Sequence, residues 1–134
     1  MLTDAFLHLL EPAVLAMMCA GVLLGIAIGV LPGINTGALM VLVLPFTFTM
    51  NSVDAVTLLI SLFVGGVSGG LVTATLMRIP GEPNAVMTCM DGYPLAKSGK
   101  AGRALGLGNT ASIVGGFFSW VALVTLTPAL ARVA

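Results

Sequence analysis

The residues that could bind a polar ligand lie in two short segments that interrupt apolar stretches of the chain. The first segment is PGINTG, residues 32–37, and the second begins with PGEPN at residue 80. Proline inside a helix costs about 3 kcal/mol, and irregular backbone at membrane depth survives only where it is buried in protein or lines a wet cavity. Both segments are therefore typical of broken helices that line a ligand site.

The first segment combines backbone freedom with polar side chains. Gly33 and Gly37 permit unusual dihedral angles and a close approach, while the Asn35 amide and the Thr36 hydroxyl can bind a polar guest. Either polar residue would also cap the helix that begins near residue 37. The N–H groups of that helix and its positive dipole end would face the break, as in an anion site. The same residues are equally typical of a tight turn in the headgroup region.

The second segment repeats the arrangement. Pro80-Gly81 ends an apolar stretch, and a short helix is predicted to open at residue 82 and to end in a turn at Asp91-Gly92. Asn84 and Thr88 are four residues apart and would share one helix face. Paired broken helices indicate the binding site of a secondary transporter. The predicted substrate-binding residues are Pro32, Gly33, Asn35, Thr36, Gly37, Pro80, Gly81, Asn84 and Thr88.

Three charged residues are further candidates for contacts with a substrate or an ion. Arg78 could reach an anionic substrate, Glu82 could touch a coupling cation, and Asp91 could carry a proton. Each also has a structural interpretation: Arg78 would lie at the end of a span, Glu82 would be an acid at a helix start, and Asp91 would be a turn residue. No catalytic residue or metal site is predicted, because one histidine and two separated cysteines supply neither a nucleophile–base pair nor a ligand cluster.

The composition places these segments in a membrane. The chain has 134 residues, of which 58% are hydrophobic and 7% charged, and its mean hydropathy is +1.14. Soluble domains are about 45–50% apolar and about 25% charged. The formal net charge is zero, without a basic patch, so no nucleic-acid partner is expected. The predicted fold is an all-α integral membrane protein, a polytopic bundle with Pro-Gly-broken helices.

Charge-free stretches define the predicted spans of this single membrane domain. A helix crosses the hydrocarbon core with about 20 residues, and the spans are predicted at about 12–31, 36–50, 55–77 and 105–131, with a polar half-helix region at 78–104. That region holds four of the five basic residues, so the positive-inside rule places it in the cytoplasm. Three full crossings are expected before it, and the alternative is that residues 12–50 dip into the membrane and return.

Small residues form two faces for helix packing. One face repeats every four residues from Gly21 to Gly37, and the other comprises the paired glycines of residues 65–70. Such faces allow helix backbones to approach closely in lipid. Because four helices offer little surface for two such faces, we expect a larger bundle.

The two segments and the stretch between them resemble a known family. The resemblance rests on GVLPGINTGALMVLVLPFTFTMNSVDAVTLLISLFVGGVSGG and IPGEPNAVMTCMDGYPLAKSGKAGRALG, and it runs from about Gly21 to Gly116. Both are similar to the large membrane subunit of bacterial tripartite tricarboxylate transporters. The most specific features are the Pro-Gly-Glu-Pro and Asp-Gly-Tyr-Pro motifs with the small-basic run after them.

The resemblance implies a function and partners. Such subunits import citrate-like and other small carboxylates across the bacterial inner membrane, as multi-pass secondary active transporters. They work with a small membrane subunit and a periplasmic solute-binding protein, and an ion gradient, of Na⁺ or H⁺, drives uptake without another cofactor. Members are longer and carry a second Pro-Gly motif, so this chain is expected to be the N-terminal part of an internally repeated fold. As a fragment, it would need the remaining C-terminal part for transport.

Some residues depart from the family pattern. Asn35 stands where the family usually has glycine, Arg78 where an asparagine is common, and Cys89 where a threonine is common. The small-residue helix of the family often carries tyrosines, where this chain has Phe63-Val64 and Ser68. These departures lie at the expected site, so they leave the identity of the carboxylate open. The alternative function is that of a structural or assembly membrane protein with the same glycine packing and no transport activity.

Overall fold

The computed structural model describes residues 7–31 and 33–130, with side chains to residue 127, and these residues form helices without a strand. The elements are α1 (Pro12–Gly29), α2 (Thr36–Thr47), α3 (Ser52–Met77), a 3₁₀ turn (Pro83–Ala85), α4 (Val86–Leu95), a π-helical segment (Ala96–Lys100) and α5 (Ala101–Leu130). Pro32 lies outside the described residues.

Three helical stretches in this part of the chain are long and apolar enough to cross a membrane. They are Pro12–Gly29, Ser52–Met77 and Pro83–Thr127, and the shorter apolar helix Thr36–Thr47 lies between the first two. The prediction of an all-α polytopic membrane fold is confirmed.

The two glycine faces pack against each other, along α1 and α3. A Cβ atom added to Gly21 would lie 2.9 Å from the Ser61 Cβ, and one added to Gly29 would lie 2.8 Å from the Gly66 Cα. Gly65 in turn packs on the backbone of Val22. Each glycine face therefore supplies the close-approach surface that the other needs.

The start of α1 is also tied to the start of α3. The His8 Nε2 lies 3.0 Å from the Asp54 Oδ1, and the His8 Nδ1 lies 3.3 Å from the Glu11 Oε2. The hydrogen bond to Asp54, followed by that to Glu11, raises the pKa of His8 above its ordinary value. The two helices therefore begin at the same end of the molecule and run parallel.

The first break, between Gly29 and Thr36, lies beside the middle of α3. Helix α1 ends at Gly29, which packs on Gly66, whereas α3 continues to Met77. Helix α2 begins at Thr36, whose side chain also packs on Gly66, and it runs back along α3. Residues 48–51 then connect α2 to the start of α3. Helices α1 and α2 therefore run in opposite directions, with the first break between them.

The second break, between Met77 and Pro83, reaches the same part of α3 from the C-terminal end of that helix. The chain leaves α3 at Arg78, which adopts a left-handed conformation with φ 57°, and turns back. A Cβ atom added to Gly81 would lie 3.4 Å from the Gly70 Cα and 3.4 Å from the Gly29 carbonyl oxygen. The two breaks therefore meet beside Gly66 and Gly70, one helical turn apart on α3.

Helix α4 runs outward again, and the predicted turn at Asp91-Gly92 was wrong. The helix continues through both residues and through Pro94 to Leu95. Gly92 provides room for close packing, since a Cβ atom there would lie 3.3 Å from the Thr75 Oγ1. The direction of the chain changes later, at Gly99, whose φ of 83° is readily adopted only by glycine.

Helix α5 returns alongside α3, with Gly108 packed on the Leu71 side chain. The whole stretch 109–127 is exposed in this chain, although most of it is apolar. Since a membrane protein covers such a surface with lipid or with other helices, α5 forms the outer wall of the part described here.

Candidate functional site

A hydrogen bond joins the two helix breaks. The backbone N–H of Thr36, the first residue of α2, donates to the Glu82 Oε1 at 2.7 Å. The residues are 46 positions apart in the sequence. A carboxylate at a helix N-terminus interacts favourably with the unpaired N–H groups and with the helix dipole. The α2 N-terminus thus holds an anionic group, and that group belongs to the protein itself.

The other early N–H groups of α2 are bonded within the first break. The Gly37 N–H donates to the Asn35 side-chain oxygen at 2.8 Å. The N–H groups of Ala38 and Leu39 donate to the Asn35 carbonyl at 3.0 and 3.3 Å. Asn35 is therefore the N-cap, as its residue type favours. A ligand carboxylate at this terminus would have to replace Glu82.

The Thr36 side chain is buried at the same junction. Thr36 is 2% exposed, and its hydroxyl oxygen has no hydrogen-bond partner among the described residues. It lies against Gly66, while the Glu82 Cγ lies against Gly70, 3.6 Å from where a Cβ atom would be. A buried hydroxyl without a partner is unfavourable by about 1–3 kcal/mol. The junction therefore has one unused polar group beside the Glu82 carboxylate.

A cavity of about 390 Å³ opens next to this junction. Pockets for small molecules have volumes of about 300–1,000 Å³. The cavity is lined by α3, by α5 and by the start of the second half-helix, which comprises the 3₁₀ turn and α4. Its lining residues are Phe63, Val64, Val67, Ser68, Leu71, Glu82, Asn84, Ala85, Thr88, Asn109 and Ser112. Three of the sequence-predicted residues, Glu82, Asn84 and Thr88, thus line a single cavity.

Two polar residues that line the cavity, Asn109 and Ser112, were not predicted from the sequence. Ser68, one of the departures from the family pattern, lines the cavity as well. Asn109 and Ser112 are three residues apart on α5 and share a face. A side-chain amide inside a stretch without any charge is unfavourable in lipid, and this unusual placement is the signal that could have identified Asn109.

The remaining predicted residues lie around the cavity and outside its lining. Gly81 is buried against α1 and α3, whereas Gly33, with φ 92°, is exposed and has open space around its Cα. The Arg78 guanidinium lies 5.8 Å from the centroid of the Tyr93 ring, in a cation–π arrangement. Gly37, Pro80 and Asp91 are exposed.

The described residues that line the cavity carry a single charge-bearing side chain. Glu82 is the single ionisable residue of the lining, and the polar partners are the amides of Asn84 and Asn109 and three hydroxyl groups. At the start of the half-helix, the Ala85 N–H donates to the Glu82 carbonyl at 3.0 Å. The amides of Asn84 and Asn109 are neutral donors that can orient a carboxylate without adding a charge.

Comparison with known proteins assigns the chain to a family. Residues 15–134 match the profile of the Tripartite tricarboxylate transporter TctA family. The chain belongs to this family. Over 125 residues it is 38% identical to a protein of Agrobacterium vitis, which is described as an uncharacterized 52.8 kDa protein in the TAR-I ttuC' 3'region. No solved structure matches the chain.

The match covers 93% of this chain and 25% of the Agrobacterium protein. The chain therefore spans about a quarter of the length of the curated relative that it matches. Members of the TctA family are membrane subunits of tripartite tricarboxylate transporters, and the resemblance found in the sequence is confirmed. Membership and the apolar helices make the chain a multi-pass membrane protein.

Proposed function

We propose that this chain forms the N-terminal part of a carrier that imports tricarboxylates or other small carboxylates across the bacterial inner membrane. The complete carrier would act with a small membrane subunit and a periplasmic solute-binding protein that delivers the substrate, and a gradient of Na⁺ or H⁺ would drive uptake. Family membership and the junction of the two breaks support this role.

The observation that carries the proposal is the meeting of two broken helices beside one cavity. The bond from the Thr36 N–H to Glu82 connects the breaks, and Glu82 also lines the cavity. Broken helices whose N-termini face a polar cavity offer backbone donors to anionic substrates. The Asn84 and Thr88 side chains would then orient the substrate from the second half-helix.

The part of the carrier described here would supply one wall of the site. The exposed face of α5 beyond Ser112 leaves room for the remaining C-terminal part, which would close the cavity from the other side. Alternating access would then open the site to one side of the membrane at a time.

Uptake by the complete carrier in proteoliposomes tests this proposal. Thr88→Val removes a hydroxyl from the cavity, and Thr110→Val is the matched control, because Thr110 bonds only the Gly106 and Leu107 carbonyls of its own helix and is exposed. Losing one hydrogen bond of about 0.5–1.5 kcal/mol should raise the KM for citrate about two- to tenfold in Thr88→Val. An unchanged KM in both variants would contradict the placement of the substrate in this cavity.

A further inference from the structure

The α2 N-terminus has the features of an anion site whose occupant is part of the chain. One carboxylate oxygen of Glu82 accepts the Thr36 N–H at 2.7 Å, and the other early N–H groups of α2 are bonded to Asn35. Among these hydrogen-bond acceptors, a ligand could therefore replace Glu82 without breaking the hydrogen bonds that Asn35 makes as the N-cap.

A second observation points to a ligand at the same place. The Thr36 hydroxyl is buried and has no partner among the described residues, although the N–H of the same residue is bonded to the Glu82 carboxylate. A carboxylate has about four lone-pair sites and can accept from a backbone N–H and a hydroxyl together. A ligand carboxylate on Thr36 could therefore satisfy both donors, whereas Glu82 satisfies one of them.

The cavity also offers space for a second position of the Glu82 side chain. It is partly exposed, and it lines the cavity of about 390 Å³. Rotation of the side chain would carry its carboxylate away from Thr36 while the second break stays in place, since Gly81 is held against α1 and α3 by its own packing.

We propose that Glu82 is an internal competitor of the substrate: its carboxylate occupies the α2 N-terminus until a substrate carboxylate displaces it onto the Thr36 N–H and hydroxyl. This inference rests on the proposed carboxylate carrier function. Because the apparent dissociation constant rises as the competent fraction of the protein falls, Glu82 sets the affinity of the carrier.

Equilibrium binding of citrate to the purified complete carrier tests this role with three variants. Glu82→Gln keeps the shape and the acceptor oxygen but loses the charge, and charge-assisted hydrogen bonds are roughly twice as strong as neutral ones. The internal occupant should be weaker by about 1 kcal/mol, so Kd should fall about fivefold. Glu82→Asp keeps the charge but is too short to reach Thr36, and it should also lower Kd. Glu11→Gln makes the same substitution at an exposed acid outside the cavity lining and should leave Kd unchanged.

The outcomes separate this inference from the proposed function. Tighter binding in both Glu82 variants supports competition. Tighter binding in Glu82→Gln alone would show general charge repulsion instead of occupancy and would overturn the inference, and so would weaker or unchanged binding in both. A wild-type carrier that binds none of citrate, tartrate or succinate would overturn the carboxylate function itself.

Discussion

Replacing Gly29 by alanine should separate α1 from α3 and destabilise the carrier. The new Cβ atom would lie 2.8 Å from the Gly66 Cα and closer still to the Gly66 carbonyl. Both atoms belong to the backbone, so neither can move aside like the tip of a flexible side chain. Overpacking of this kind costs about 1–3 kcal/mol, and alanine returns up to about 1 kcal/mol of helix propensity.

A matched control removes the propensity contribution. Gly102 lies in α5 and has no atom within 4 Å of the position that a Cβ atom would take. Gly102→Ala gains the same propensity without the clash, so the difference between the two variants isolates the overpacking of about 1–3 kcal/mol. The result should lie near the upper end of that range, because the obstacle is backbone.

The free energy of unfolding of the purified complete carrier, measured by titration with sodium dodecyl sulfate, gives this difference. Gly29→Ala should be less stable than Gly102→Ala, and its affinity for citrate should fall as well, because Gly29 ends the helix that leads into the first break. Equal stability of the two variants would refute the direct packing of the two glycine faces.

Three further changes test other parts of the structure. Asn35→Ala should cost about 0.5–2 kcal/mol of stability by removing the α2 cap, whereas Asn35→Asp should preserve it; equal losses would refute the capping role. Gly33→Ala should destabilise by about 1 kcal/mol, because its φ of 92° strains an L residue even though the space is open; thermal denaturation that shows no loss would contradict this. The raised pKa of His8 means that its link to Asp54 stabilises fully below pH 6.5 and is lost as the pH rises through the raised value. The melting temperature should show this pH dependence in the wild type and lose it in His8→Gln; identical profiles would refute the link.

The fold was largely predictable because the signals that define it are local. Charge-free stretches marked the apolar helices, and Asn35 gave the start of α2 through its capping chemistry. The pairing of the two glycine faces was missed, since spacing shows that a face is small without showing which surface it meets. The turn predicted at Asp91-Gly92 was wrong, because Gly92 lies inside a helix and allows that helix to pack on Thr75.

The candidate site was predictable in its parts and not in its assembly. The two breaks and the shared face of Asn84 and Thr88 follow from neighbouring residues, whereas the bond from Thr36 to Glu82 joins positions that only the tertiary fold brings together. That bond also changes the expected chemistry, because the donors foreseen as free for a substrate are satisfied within the chain. The contribution of α5 through Asn109 depends on the reversal at Gly99, which has no strong sequence signal.

Protection of a single cysteine by substrate is the most direct test of a carboxylate site where the two breaks meet. Thr88→Cys places a thiol in the cavity, and Thr110→Cys places one on the exposed face of α5. Each is made in a complete carrier whose other cysteines, including Cys19 and Cys89, are replaced by alanine. Citrate should slow maleimide labelling at position 88 and leave the rate at position 110 unchanged. Labelling at position 88 that proceeds at the same rate with and without saturating citrate would contradict the account.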